Sequence, residues 1–226
     1  MSQLFKKEVE NGLAAISKEI GFKKKKFNFY KSINEMVYAT LGFGMVTHTD
    51  EGHIYVNVTI GVSHKDVEEL LAKTTGYNSL DIMQPTIGIQ IGYLMPGNSF
   101  KEWNFAENAD NSSLYEDILK SIQTYGFAYQ EKMKDFDNLL EAFEKRVPGV
   151  LNQAKDRYLP ILYYLKGDKQ RGLKAIEEAI ERQKKPLDES NIPKFSGAKE
   201  EISIIGSGIG KVDPEYLKFA ENYKAL

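Results

Sequence analysis

Between Val37 and Val62 the chain alternates apolar and polar residues twice over. Val37, Ala39, Leu41, Phe43 and Met45 alternate with Tyr38, Thr40, Gly42 and Gly44; then Ile54, Val56, Val58, Ile60 and Val62 alternate with Tyr55, Asn57, Thr59 and Gly61. Period two belongs to strands with one apolar face, and no helix can gather these side chains on one side. The four residues Thr49-Asp50-Glu51-Gly52 between the runs are a hairpin loop, which makes the pair antiparallel. Two more runs repeat the pattern: Phe27 and Phe29 with Asn28 and Tyr30, and Ile87, Ile89, Ile91 and Tyr93 with Gly88, Gln90 and Gly92. A fifth strand around Trp103 and Phe105 follows the turn Met95-Pro96-Gly97-Asn98. A sheet of this kind must bury one face, so helices are required elsewhere.

The helices are legible too. Leu4, Val9, Leu13, Ile16 and Ile20 recur at helical spacing and Gly21 follows as a stop, so residues 3–20 form an amphipathic helix that covers the apolar face through Leu13 and Ile16. Ser63 and Asp66 are spaced as a capping box ahead of Val67, Leu70 and Leu71, giving a short helix over 64–74. Leu114, Ile118, Ile122 and Tyr125 suit one further helix, and Phe136, Leu139, Leu140 and Phe143 another. After the break at Val147-Pro148-Gly149, residues 151–166 and 170–182 read as a helical hairpin turning at Gly167-Asp168. It is similar to one tetratricopeptide-type helix pair, but no second copy follows, so the reading is a lone hairpin packed on the body. Residues 183–211 are a linker or surface loop rich in Lys, Pro, Gly and Ser, and Asp213-Pro214 opens a closing helix. The fold class is therefore α+β: a mainly antiparallel sheet of four to five strands with an N-terminal helix packed on it, followed by a C-terminal helical region. Three units are expected: an α+β domain over 1–146, a helical hairpin extension over 147–185, and a loop with its closing helix over 186–226.

Composition excludes several chemistries. With no Cys among 226 residues, disulfides, zinc-thiolate sites, iron-sulfur clusters and cysteine nucleophiles are ruled out. No apolar run approaches the ~20 residues of a membrane span, and the opening MSQLFKKEVENGLAAISKEI has no signal-peptide core, which points to a soluble cytoplasmic protein with no membrane association. The net charge of −2 hides an asymmetry. Lys and Arg exceed Asp and Glu by five in residues 1–31, fall short by nine in 32–147, and exceed them by two in 148–226. That balance argues against nucleic acid as the main partner and suits a protein partner.

The order of an amphipathic helix, Gly21-Phe22-Lys23-Lys24, then Phe29-Tyr30, antiparallel strands, a Trp-bearing strand and helices resembles a widespread bacterial family of domains of unknown function. The likeness covers about residues 3–146. It implies an α+β fold with no established activity and no catalytic residues to carry over; some relatives of such small domains look like immunity proteins of bacterial toxin systems.

Candidate sites follow from residue chemistry. His48 and His53 flank the hairpin loop with Asp50 and Glu51 nearby, yet hairpin tips are solvated and no helical His-Glu spacing accompanies them, so no metal is expected. His64, in the first turn of a predicted helix, reads as a surface residue. Ile204 to Lys211 contains Gly206, Gly208 and Gly210, but Ile205 and Val212 stand where a phosphate loop requires Gly and Ser or Thr, which leaves a loop and no cofactor. Lys23 to Lys26 beside Phe22, Phe27 and Phe29 fit an edge strand guarded by lysines.

The polar face of the sheet is more informative. It presents Tyr38, Thr40, Gly42 and Gly44, then Tyr55, Asn57, Thr59 and Gly61, then Gly88, Gln90 and Gly92. Glycines inside strands mark curvature or close approach, so this face is either a recognition surface, with Tyr38, Tyr55, Asn57 and Gln90 as binding residues, or a floor covered by the C-terminal helices. The function that follows is a non-catalytic protein-binding module, in one form an immunity-type inhibitor whose carboxylates Asp50, Glu51, Asp66, Glu68 and Glu69 meet a basic toxin. The alternative is a small enzyme with carboxylate or His chemistry at the sheet rim.

Overall fold

In the computed structural model the described residues are 2–25, 28–47, 50–76, 85–150, 152–185 and 212–226. The architecture is α+β. Helix α1 (Gln3–Glu19) opens the chain and six strands follow: β1 (Lys23–Lys25), β2 (Asn28–Ser32), β3 (Val37–Val46), β4 (His53–His64), β5 (Ile87–Gln90) and β6 (Trp103–Ala106). Helix α2 (Lys65–Thr75) interrupts the sheet. After it come α3 (Ser112–Ser121), a π-helical turn (Ile122–Gly126), α4 (Phe127–Met133), α5 (Phe136–Lys145), α6 (Asn152–Leu165), α7 (Lys169–Lys184) and α8 (Pro214–Lys224).

Every strand pairing is antiparallel, in the order β1-β2-β3-β4-β5, with β6 on the same edge of β4 as β5. The long strand β4 accommodates both: Thr59 to Val62 pair with β5, and His53 to Val56 pair with β6. Register then sorts the side chains. Phe29, Leu41, Ile60 and Ile89 form one apolar row across four strands, and Ala39, Val62 and Ile87 the next. Val37, Leu41, Val56, Val58, Ile60, Ile87, Ile89 and Ile91 are buried as expected, with Phe43 half-buried.

Helix α1 starts on Ser2, whose Oγ accepts from the Phe5 amide at 3.2 Å. It stops at Gly21, whose φ is +86°. The Gly21 amide donates to Lys18 O and the Phe22 amide to Ser17 O, each at 3.0 Å. These are the two bonds of a Schellman motif, with Phe22 supplying the apolar contact from the core. The Gly-Phe pair is thus a helix stop. The apolar stripe is Phe5, Val9 and Leu13, while Leu4 is 77% exposed, because the face turned inward is one residue out of phase with the expected start. Leu13 is buried and Ile16 half-buried, but α1 packs against α3 and the β1 edge. The apolar face over β4 is covered by the π turn and α4 instead: Gly126 sits against the Ile60 side chain, and buried Gln130 donates to Thr40 O and Gly61 O at 3.0 and 3.2 Å.

Two expectations at the end of β4 are corrected. The strand runs on to His64, so Ser63 is a strand residue with a buried, unpartnered hydroxyl, and the capping box does not form. His64 is 3% exposed instead of lying on the surface. Parity explains it: His64 pairs with Val37 and shares the face of Val56, Ile60 and Val62. The fourth alternating run is also shorter than read, for β5 ends at Gln90 and Ile91 to Leu94 form a 3-10 turn.

The C-terminal helices build on α2 and α5. The predicted hairpin is α6 and α7, turning at Gly167 with φ +82° and capped by Asp168, which accepts from the Arg171 amide at 3.0 Å. Helix α6 carries Pro160. A proline inside a helix deprives the carbonyl four residues earlier of its donor; here Tyr216 Oη of α8 donates to Asp156 O at 3.0 Å. Tyr223 Oη of the same helix donates to Pro160 O at 3.0 Å, and its hydroxyl fills the space left by Gly172 of α7. Asp213 and Pro214 open α8 as expected. Most of the linker, residues 186–211, and with it Gly206 to Lys211, lies outside the described residues. Among the described residues no helix is long and apolar enough to cross a membrane.

Candidate functional site

The polar face of the sheet is built in cross-strand rows. Asn28 stands beside Gly42, which pairs with Thr59, which pairs with Gln90; Tyr30, Thr40, Gly61 and Gly88 form the next row, and Gly44 pairs with Asn57. Gly42 leaves the backbone bare, while the Asn57 side chain lies over Gly44, and a groove of about 330 Å³ opens there. Its lining is Asn28, the β3 stretch from Thr40 to Gly44, Asn57, Thr59 and Pro85. None of these residues is ionisable.

The expected recognition surface is divided. At Gly61 a Cβ would come within 2.6 Å of Ile87 O, 2.7 Å of Pro85 Cβ and 2.8 Å of Thr40 Oγ1. At Gly92 it would meet Ser99 O and Lys101. This half of the face is closed by the segments flanking β5, whereas the C-terminal helices pack on α2 and α5. At Gly42 the nearest atoms to a Cβ, Asn28 Oδ1 and Thr59 Cβ, are 3.8 and 3.9 Å away, so the groove is a true recess.

The four named binding residues fall in different surroundings. Asn57 lines the groove. Tyr38 is half-buried, edge-on to Tyr30 with ring centroids 6.4 Å apart. Tyr55 lies eight residues along β4 from Ser63, the partner of Tyr38, or about 27 Å at strand rise. Its hydroxyl donates to Asp50, a bond that pushes its pKa up, and Glu102 adds to the negative field. Gln90 spends its amide internally: Oε1 accepts from the Gly92 amide at 2.8 Å and Nε2 donates to Lys101 O. The structure therefore does not gather these four side chains into one site. Asn28, Thr59 and Pro85 are groove residues that reading the strands singly did not isolate; the signal that finds them is the register.

His53 Nδ1 donates to Asn104 Oδ1 at 2.8 Å and its ring stacks near Tyr55. His48 and Thr49 lie outside the described residues, as do Lys26 and Phe27. Among the described residues no three His, Asp or Glu side chains converge as metal ligands. Phe22 and Phe29 are buried beneath the exposed lysines of β1.

Two other polar clusters bear on the enzyme alternative. Glu68 is not a surface carboxylate: Thr86 Oγ1 donates to it at 2.6 Å and Tyr158 Oη at 3.3 Å, and burial raises its pKa. The His64 imidazole faces elsewhere, donating from Nε2 to Met133 O at 2.9 Å and meeting Phe136 edge-on. A carbonyl only accepts, so Nε2 carries the proton; burial lowers the pKa and keeps the ring neutral. His64 touches the Glu68 cluster only through its backbone amide, which donates to Thr86 Oγ1 at 2.9 Å. The second cluster lines a groove of about 390 Å³ among α5, α6 and α7. There Glu144 Oε1 accepts from Arg171 Nη2 at 2.8 Å and from Tyr163 Oη at 2.9 Å, the latter phenol being pushed up to about 12, chiefly by burial, and Arg182 pairs with Asp156. These charges are consumed by one another.

Residues 13–145 match the model of a family described as a domain of unknown function, DUF4304, and the chain belongs to that family. Neither the curated proteins nor the solved structures contain a match.

Proposed function

We propose that this member of the DUF4304 family is a bacterial, cytoplasmic, non-catalytic protein-binding module of the immunity type, in which the 1–146 domain carries the recognition face and residues 147–226 buttress it as a helical hairpin, loop and closing helix. The observation that carries the reading is the uncharged groove at Gly42, Gly44, Asn57 and Thr59. Its polar atoms offer hydrogen bonds without the charge that nucleotide or phosphate binding requires. Tyr38, Tyr55 and Gln90 stay in the proposal as flanking contacts, Tyr giving large contact area at low entropy cost. Exposed Asp50 and Glu51, with Glu102 close enough to act on Tyr55, supply a negative end of the sheet that would steer a basic partner. Glu68 leaves that set because it is tied to Thr86 and Tyr158.

The test is a calorimetric titration of the purified chain with the products of the genes flanking its own. A complex that Tyr38→Ala and Asn57→Ala each weaken by up to ~2 kcal/mol supports the reading. No complex with any flanking product, or one indifferent to both substitutions, refutes it.

A further inference from the structure

We infer that the loop joining β5 to β6, residues 91–102, is a preformed anchor that inserts Tyr93 and Phe100 into an apolar, basic-rimmed pocket of a protein partner. The inference rests on the recognition reading above and names where the contact is strongest and what the partner must offer.

Tyr93 is 42% exposed and Phe100 54%, and they are two of the five large apolar side chains left exposed among the described residues. The other three stand singly: Leu4 on α1, Met36 in the turn between β2 and β3, and Leu217 on α8. A lone surface apolar residue is ordinary, whereas a group of them marks an interaction site. Tyr93 and Phe100 are grouped by the backbone. Ser99 N–H donates to Gly92 O at 3.3 Å, and a Cβ on Gly92 would run into Ser99 O, so the two arms of the loop close tightly there. Each aromatic is the next residue along from that contact.

The loop is held from within. Met95 N–H also donates to Gly92 O, at 3.2 Å, and Asn98 N–H to Met95 O at 2.9 Å, with Asn98 at a φ of +42° that few residues other than glycine adopt. Gln90 ties the base, accepting from the Gly92 amide and donating to Lys101 O. A loop ordered before binding loses little freedom on docking, and aromatic anchors on such supports dominate interface energetics.

Charge selects the occupant. No residue from Ile91 to Phe100 is charged. The flanking cation, Lys101, lies 3.5 Å from Asp117 and over the Trp103 ring, so the loop offers no spare charge to the phosphates of nucleic acid or anionic lipid. Exposed Glu102 beside it adds negative charge, which a protein pocket with a basic rim complements. Gln90 pairs with Thr59, a residue that lines the groove, so one partner spans groove and anchor together.

The full chain is titrated with each flanking-gene product by surface plasmon resonance, beside Tyr93→Ser, Phe100→Ser, Glu102→Lys and, as a control of matched exposure, Leu217→Ser. Tyr93→Ser and Phe100→Ser should each weaken the complex at least tenfold, Glu102→Lys should slow association and reduce its salt dependence, and Leu217→Ser should bind as the parent does. Melting temperatures check that the variants fold; Phe100→Ser, which removes the more exposed ring, decides the test if Tyr93→Ser melts early. A complex indifferent to Phe100→Ser overturns the inference; if that complex depends on Asn57, the recognition reading stands and the anchor alone falls. No complex with any flanking product refutes the recognition reading and the anchor with it. Sedimentation showing a dimer that Phe100→Ser dissolves, or binding to phosphatidylcholine vesicles that Phe100→Ser abolishes, would assign the loop to a second copy or to lipid and overturn it too.

Discussion

Adding one methyl group at Gly61 and at Gly42 asks the same question of two points on the same sheet face and should receive opposite answers. At Gly61 the new carbon would lie 2.6 Å from Ile87 O, a backbone atom fixed in the β4–β5 ladder, and within 2.8 Å of Pro85 and Thr40. None of these is the far end of a flexible chain. Overfilling of this kind costs about 1–3 kcal/mol, and the lower entropy of the unfolded alanine chain returns only about 0.4–1. The net loss for Gly61→Ala is therefore ~1–2 kcal/mol, which at ~2–4 °C per kcal/mol for a chain of this size lowers the melting temperature by roughly 2–8 °C. Gly42→Ala meets nothing closer than 3.8 Å, so only the unfolded-state gain applies, and it should melt at or slightly above the parent. Thermal unfolding followed by circular dichroism, with urea titration to confirm that m is unchanged, measures both. A Gly61→Ala variant as stable as the parent would refute the reading that Pro85 and β5 close this half of the face.

Tyr216→Phe removes the donor to Asp156 O and should cost ~1–2 kcal/mol by urea denaturation, and the cost should shrink when Pro160→Ala restores a helical N–H to that carbonyl. Glu68 has a folded pKa raised by burial, so its contribution to stability is complete below the ordinary Glu range and is lost as pH rises through the raised value. Glu68→Gln should accordingly be no less stable than the parent at pH 7, with its relative advantage shrinking toward pH 4 in parallel denaturation series. Gln90→Leu strips the Gly92 amide and Lys101 carbonyl of their partner and should cost ~1–2 kcal/mol while accelerating amide exchange across residues 92–101.

The strands are legible because alternation and burial obey the same parity: the apolar positions from Val37 to Ile89 are those the sheet hides, with Phe43 and Met45 half-buried where β3 runs past β2. Pattern and fold part where a helix-start signal overlaps the end of the alternation. Two more residues of alternation place His64 in the core, whereas the helix-start chemistry at Ser63 points to an earlier end of the strand. Leu4 is ambiguous because the first turn of a helix tolerates either Leu4 or Phe5 as its first apolar residue, and only packing chooses. The groove was half-visible. Asn57, Gly42 and Gly44 could be named from one strand at a time, whereas Asn28 and Thr59 join them only once the register is set. The closure of Gly61 was beyond reach, since Pro85 is far from Gly61 in sequence and nothing in the local pattern of either announces their contact.

Helix α6 depends on a residue made long after it. The carbonyl of Asp156 waits for a hydroxyl 60 residues downstream, which at a synthesis rate of about 5–20 residues per second means an interval of roughly 3–12 s. During that interval the nascent hairpin carries an open hydrogen-bond acceptor and an uncovered flank, so it can be rearranged at little cost. Arrival of Tyr216 and Tyr223 ends that freedom, turning α8 into the step that commits the earlier helices to their final packing.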